Sequence, residues 1–577
     1  MVSVLFSMVL LLFIFKGQGR LFLKFTKSKT ITNPFLDVFL GIFFSSILGM
    51  LCSLFMPLNN FVFVFFIAIG FFGNIFDIGK INYKDFDISF SLFFFIGISL
   101  VSLILGYDHY PYNTDTDFYH ANAVKWLSEY GTVIGLANLN QRLGVNTSWH
   151  ILGGILDHYF WKDRTTWILP ALSYTASLGF FTYEFFFGKA IWKKCFSLLI
   201  LGWTFCNILT WGFPSLHYDF LPLVYNAIVV YLVLIFYSEK SEKPLSFFLM
   251  SFIFSTASFV LKPMGAMSIL FVFYFIIFEL NKMKVLNLKN LLIICSIPIL
   301  SFVVWLSRNI LISGWPFYPS PYFPLDLDWT APFELANNTI LDVVNWARRP
   351  LPDYPEASKH DFLFWFIPWV KINFVSIRFW IVGIIPFLFG SLFWALHFFR
   401  TKFTSGLFFF LWSIASFMFW FILAPDIRFG DGFFIVYMAT ALSFALPNFL
   451  IFLSEKKVTV LFYGIYFLFT SSIFFTLYTG KRGPVNFLRI GKHESGPIEL
   501  TPIYEDGRKV LELWTPVSIQ NCNDSKKRHI CPGDKELYKE FALCSNSPLP
   551  CTGYFTDKLR LRVEGDMSKG FRIIKNQ

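Results

Sequence analysis

The chain has 577 residues, 55% of them hydrophobic, and a mean hydropathy of +0.57. A soluble protein of this length does not carry so many apolar runs of spanning length, so the composition excludes a soluble globular class and indicates a polytopic membrane protein. The net charge of +11 does not imply a nucleic-acid partner, because the basic residues fall in short loops between apolar runs rather than on one face.

The pattern predicts an all-α membrane protein with about fourteen transmembrane helices, each near the ~20 residues that a bilayer core requires. They centre on 2–15, 35–56, 59–78, 88–106, 165–187, 195–212, 220–237, 245–261, 265–280, 291–312, 376–398, 405–424, 433–453 and 458–478. The first run has no basic residue before it, and Lys16, Arg20, Lys24, Lys27 and Lys29 follow it. That order favours a retained anchor with its N-terminus outside over a secretory signal. The 79 phenylalanines read as lipid-facing filler. No nucleotide-binding fingerprint occurs, which argues against a nucleotide-driven pump.

Alternate short loops are basic, at Lys80 and Lys84, at Lys189, Lys193 and Lys194, at Lys240 and Lys243, at Lys282, Lys284 and Lys289, at Arg400 and Lys402, and at Lys456 and Lys457. The opposite short loops carry only Lys262 and Arg428. The basic set is therefore expected in the cytoplasm, and both termini outside. Three long pieces, 107–164, 314–372 and 480–577, fall on the outer face. The chain divides into N-terminal transmembrane helices (1–87), a transmembrane core with the first two long loops (88–480), and a small cysteine-containing external domain (481–577).

The first long loop opens with "YDHYPYNTDTDFYH", Tyr107 to His120, which gathers Asp108, Asp115, Asp117, His109 and His120 at the mouth of a span. Extended backbone would turn Asp115 and Asp117 to one side, able to bind a metal or share a proton, whereas a helix would separate them. Simple helix capping by Thr114, Asp115 or Thr116 is the plainer reading. Two amphipathic helices follow, one along Asp117 to Tyr130 and one along Asn146 to Trp161, with Asn146, Thr147 and Ser148 as caps. They are expected either in the interface plane or packed on the protein body.

Further along, His217 and Asp219 in "FPSLHYDF" share the outer face. Lys262 sits in the turn "LKPMG", where an ammonium can serve a site or merely snorkel to water. The second long loop is rich in proline, which excludes long regular elements in its first half; Trp315, Tyr318, Tyr322 and Trp329 are expected to hold it by packing. Arg428 in "APDIRFGDG" can grip a phosphate through its planar fork or form a local ion pair with Asp426 or Asp431. Of the eight cysteines, Cys522, Cys531, Cys544 and Cys551 lie in the tail, where two disulfides are expected, with a zinc site as the alternative.

Together, the "TDTD" motif (Thr114–Asp117) after a span, the "KPMG" turn (Lys262–Gly265), "RNILISGWPFYP" (Arg308–Pro319) and "PDIRFGDG" (Pro425–Gly432) resemble the GT-C superfamily of multi-pass membrane glycosyltransferases, over about residues 88–480. The "PLPCT" segment (Pro548–Thr552) is similar to one in a bacterial branch of polytopic proteins, which implies a bacterial inner membrane. About three extra spans precede the acidic loop here, where the simplest layout of the superfamily places it after the first span. The resemblance implies a GT-C-like fold and transfer of a sugar from a polyprenyl-phosphate donor to a glycan, lipid or protein acceptor, among membrane lipids and without nucleic acid. It implies Asp117 or Asp115 as general base, or as ligand of a divalent metal such as Mg or Mn. It implies Arg428 and Lys262 on the donor phosphate, with His120, His217 and Asp426 at the same site. The competing classes are a transporter or flippase for a lipid-linked glycan, and a non-catalytic assembly component.

The loop alternation generates a direct test. Cysteine introduced at Lys84 or Lys457 should be shielded from an impermeant thiol reagent in intact cells, and labelling of both from outside would reverse the orientation.

Overall fold

The computed structural model describes residues 1–26, 32–75, 87–106, 115–212, 214–239, 244–348, 358, 361–401, 404–445, 454–479, 498–505, 508–516, 544, 547–552 and 556–574. Asp108, His109, Thr114, Lys27, Lys29, Lys80, Lys84, Lys240, Lys243, Lys402, Cys522 and Cys531 lie outside them. The protein is a multi-pass, predominantly helical membrane protein. Among the described residues ten helices are long and apolar enough to cross a bilayer.

The chain opens with α1 (Val2–Thr26), α2 (Pro34–Ser53), α3 (Asn60–Ile75) and α4 (Ile88–Leu105). The first of these is longer than the 2–15 run expected, continuing as a helix through Lys16 and Arg20, where Arg20 pairs with Asp37 of α2 at 3.3 Å. Glycines explain how α1, α2 and α3 pack so closely. A Cβ on Gly41 would stand 1.9 Å from the carbonyl oxygen of Phe15, and one on Gly17 1.9 Å from that of Gly70. Small residues let helix backbones approach in lipid, where apolar burial alone gives little drive to associate. Gln18 in the same seam donates to the Phe66 carbonyl at 2.8 Å and accepts from Ser45 at 2.5 Å, as a polar group in hydrocarbon must.

A π-turn at Thr116–His120 leads into α5 (Ala121–Glu129), and α6 (Ser148–Leu156) follows. Thr147 caps α6 by accepting from the Trp149 amide at 3.2 Å. Every residue of α6 is buried. Of the two placements open to these amphipathic helices, packing on the protein body is the one observed.

The body continues through α7 (Thr165–Phe187), α8 (Ile191–Trp211), α9 (Phe220–Ser238), α10 (Pro244–Leu261), α11 (Ala266–Lys282) and α12 (Leu288–Ser313). Apolar all round, α9 is correspondingly enclosed. Asn226 on it accepts from Ser268 at 2.5 Å and Tyr225 donates to the Phe39 carbonyl at 3.1 Å. Asn33 caps α2 through the Phe35 amide at 2.9 Å and donates to Glu184 of α7 at 2.8 Å. Next come α13 (Phe333–Arg348), α14 (Phe362–Phe374), α15 (Ile385–Thr401), α16 (Thr404–Leu423), α17 (Ile427–Thr440) and α18 (Glu455–Tyr478).

The proline-rich segment ahead of α13 is irregular, as expected. Trp315 and Tyr318 are buried and donate to the carbonyls of Ala331 (2.9 Å) and Gln141 (2.8 Å), and Trp329 donates to that of Ile310 at 2.9 Å. Tyr322 is the exception, 68% exposed.

The tail departs from an all-α architecture. It forms two antiparallel hairpins, β1 (Ile498–Glu505) with β2 (Arg508–Pro516), and β3 (Leu559–Val563) with β4 (Asp566–Ile573). Neither hairpin is an independent core. Ile503, Leu513, Leu559 and Phe571 pack against Phe118, Trp126 and Leu136 of the first long loop. The Phe571 amide bonds the Ile134 carbonyl at 2.9 Å, and Thr552 donates to that of Leu139 at 2.7 Å. Two disulfides were expected in the tail; the described residues contain one, Cys544–Cys551.

The glycine seam predicts a position-specific response to overpacking. Gly41→Ala should lower the melting temperature of the purified protein, by an amount equivalent to about 1–3 kcal/mol. Gly464→Ala, where a new Cβ meets nothing within 4 Å, should be neutral or slightly stabilising. Equal responses at the two sites would contradict the close approach.

Candidate functional site

Five consecutive residues between α8 and α9, Ser215 to Asp219, gather the site. Ser215 and Thr116 share a hydroxyl hydrogen bond at 2.9 Å, and the Leu216 amide donates to Thr116 Oγ1 at 3.2 Å. These bonds moor the acidic loop to the helical body. The backbone around Asp115 and Asp117 is helical, not extended, so the two carboxylates diverge: Asp117 is 2% exposed, whereas Asp115 is exposed. Asp115 makes no side-chain capping bond to the turn, so capping does not account for it. A one-turn π-bulge of this kind is frequent at functional sites.

Beside Asp117, His120 Nδ1 lies 2.7 Å from His150 Nε2 of α6, so one ring donates and the other accepts. Tyr218 stands edge-on to both imidazoles, at 5.5 and 5.7 Å, and its hydroxyl bonds that of Tyr119. Burial, then His150, His217, Arg142 and Lys262, hold His120 well below the usual imidazole range. Burial and Arg308 push His150 down to about 3. Burial pushes His217 down to about 4; Asp219 opposes this, while Arg428, Lys262 and Arg378 reinforce it. Neutral imidazoles with such low basicity can orient a substrate through hydrogen bonds. As proton acceptors near neutral pH they are poor.

The cations come from distant turns. Lys262 forms a buried ion pair with Asp219, and its ammonium lies 3.5 Å from the Phe429 ring centroid. Burial alone would raise the Asp219 pKa, but Lys262, Arg428 and His217 outweigh it and hold the carboxyl below its ordinary value. Arg428 forms the local pair with Asp426: Nε and Nη2 reach one carboxylate oxygen at 3.1 and 2.8 Å, and the Arg428 amide donates to the other at 2.9 Å. Asp426, Asp219 and Asp115 all act on this guanidinium as counter-charges. Asp431 pairs with Arg378 instead, at 2.6 Å. Trp211 carries both guanidinium groups, Arg378 at 5.3 Å and Arg428 at 5.1 Å.

Thus His120, His217, Lys262, Asp426 and Arg428 come together at one end of the helical body, with Asp115 acting on Arg428 from the exposed edge and Asp117 buried in the same turn as His120. The sequence reading missed four members. Arg378 was signalled by Asp431 close by a span, since a carboxylate there requires a partner. His150 was hidden in an amphipathic helix, and Tyr218 lay between the two residues singled out beside it. The fourth, Arg308, is 5% exposed and donates to Asn146 Oδ1 at 2.5 Å. Its Nε has no hydrogen-bond partner, and among the described residues no carboxylate lies within ion-pair distance of it. No group of three His, Cys, Asp or Glu side chains among the described residues is placed to hold a metal ion.

The Lys262–Asp219 pair makes a stability prediction. Asp219→Asn or Lys262→Met alone leaves a buried charge without its partner and should cost about 3–5 kcal/mol. The double variant should recover much of that loss in a thermal melt. The contribution of Asp219 should persist above about pH 4 and fade as acid titrates it below that, because its carboxyl is depressed in the folded state. Additive losses in the double variant would deny the pairing.

Residues 1–435 match a family described as a domain of unknown function, DUF8201. No curated protein and no solved structure matches the chain. The matched stretch takes in every member of the rim cluster and leaves the β-stranded tail outside. With 435 of 577 residues inside the match, the chain belongs to the DUF8201 family.

Proposed function

We propose that this protein is an integral-membrane glycosyltransferase of GT-C-like architecture, moving a sugar from a polyprenyl-phosphate donor to an acceptor on the periplasmic face of a bacterial inner membrane. The observation that carries this reading is the joining, through Ser215–Asp219, of the turn that holds Asp115 and the buried Asp117 with several cations at one end of the helical body. Sugar transfer needs both: a base on the acceptor hydroxyl, and positive charge for the departing phosphate. In this reading Asp117 is the base. Lys262 and Arg428 hold the donor phosphate, and Arg308, buried without a carboxylate, supplies further positive charge. The neutral His120–His150 pair orients the sugar.

The four shorter or less apolar helices α3, α7, α16 and α17, added to the ten of spanning length, give the fourteen-span topology in this reading. The disulfide Cys544–Cys551 suits an oxidising, external tail, and the tail packs on the same loop that carries Asp117. A transporter would use ionisable groups near mid-membrane. Glu184 and Asp431 are instead tied to Tyr231 and Asn33, and to Arg378 and Asn207, which suits fixed structural roles.

Asp117→Asn removes the basicity and keeps the shape. It should lower transfer by about 10²–10⁴-fold with near-normal expression, read as surface glycan restored to a deletion strain and as sugar transfer from a synthetic polyprenyl-phosphate donor. Arg428→Lys should also impair transfer, because one ammonium cannot reproduce the planar fork. Full activity in both Asp117→Asn and Asp115→Asn would overturn the assignment.

A further inference from the structure

Beyond the rim cluster lies a second polar site that the reaction just proposed does not use. A half-open cavity of about 500 Å³ sits between the α2–α3 turn, the outer end of α5 and the turn that follows α6. It shares no lining residue with the cluster. Glu129 on its wall is nine residues beyond His120 along one continuous helical stretch, so the two sites are roughly 13 Å apart at 1.5 Å per residue.

Every residue of the lining carries a polar or charged group. Asn60, Glu129, Asp157, Tyr159 and Lys162 contribute to it, and no aliphatic or phenyl side chain does. Asp157 is 8% exposed; its Oδ1 accepts from the Asp163 amide at 2.7 Å, and no described residue bonds its Oδ2. Burial raises this carboxyl to about 7, so it can donate as well as accept a hydrogen bond near neutral pH. Two residues of the turn hold left-handed backbone, Tyr159 at φ 51° and Asp163 at φ 61°. A bulky residue in that region is strained, and strain of this kind gathers at ligand sites. Here it sets the ring of Tyr159, 57% exposed, at the cavity edge. One wall is braced from the tail, where Lys125 donates to the Ser547 carbonyl at 3.0 Å, inside the Cys544–Cys551 loop.

These features select a ligand class. Two lysines, Lys125 and Lys162, face three carboxyl groups, Glu129, Asp157 and Asp163, so the cavity does not favour a multiply charged diphosphate. With no aliphatic or phenylalanine side chain in its lining, it offers little to a lipid tail. Amides, carboxyls and ammonium groups beside an open aromatic face suit a polyol, whose hydroxyls each donate and accept. The volume falls in the range of specific small-ligand sites.

We propose that this cavity is a saccharide-binding subsite that takes a short oligosaccharide of the acceptor glycan. Its role as an acceptor site rests on the transferase reading above; its ability to bind a saccharide does not.

The test uses the full-length protein in nanodiscs and a panel of fluorescently labelled oligosaccharides, including chito-, manno- and malto-oligosaccharides, read by fluorescence anisotropy. Saturable binding of at least one is expected. Asp157→Asn keeps the acceptor for the Asp163 amide, and Tyr159→Asn suits the left-handed backbone, so both variants should fold with unchanged melting temperature. Each should weaken binding by about tenfold or more, the worth of one hydrogen bond to a charged or polar partner in a partly dry site. Asp117→Asn should bind as the parent does. Absence of binding across the panel, or binding that both cavity variants leave unchanged, overturns the proposal. So does displacement of the sugar by short-chain phosphatidylethanolamine, which would reassign the cavity to a zwitterionic headgroup. Intact sugar binding in a protein without transfer activity would remove the transferase reading and leave the subsite standing.

Discussion

The rim depends on one ion pair. Lys262 begins the turn between α10 and α11, and Asp219 immediately precedes α9; neither could sit alone in so apolar a setting. Their attraction draws two inter-helix turns together, and the ammonium then lies against Phe429 at the start of α17. Desolvation makes each charge costly by itself, which is why the pairing fixes position so firmly. The same logic repeats with Arg428 and Asp426, and with Arg378 and Asp431. Arg308 breaks the pattern, and the imbalance it leaves is what an anionic group would correct.

Around that pair, Ser215 to Asp219 acts as a junction. Thr116 binds at one end and Lys262 at the other. Between them Tyr218 contacts the histidine pair, and His217 lies near Trp211, 6.4 Å between ring centroids. Five residues therefore connect the first long loop, α6, α8 and two remote turns. A substitution here would act by moving other groups, even where it touches no substrate.

Much of the architecture was legible because membranes impose simple rules. Apolar length located ten helices of spanning length, and Lys262 and Arg428 were visible as the two basic residues in the short loops opposite the basic set. Other features had no local signal. Alternation in the tail was too short and too interrupted to mark β1 to β4, and those strands are stable only against Phe118 and Trp126 of the first loop. Whether Asp115 and Asp117 shared a side depended on backbone conformation, which the hydrogen bonds from Thr116 to Ser215 and Leu216 set across about a hundred residues. The continuation of α1 through Lys16 and Arg20 likewise depended on partners, Asp37 and the glycine seam, that a window around α1 does not contain.

The docking of the tail on the first loop has a consequence for biogenesis. A ribosome makes β3 and β4 more than four hundred residues after Ile134, to which Phe571 bonds. Until those strands arrive, Phe118, Trp126 and Leu136 lack part of their cover, so the packing around the acidic loop is completed only once β3 and β4 have been made. A product truncated before β3 would keep its helices and lack this cover on the first loop.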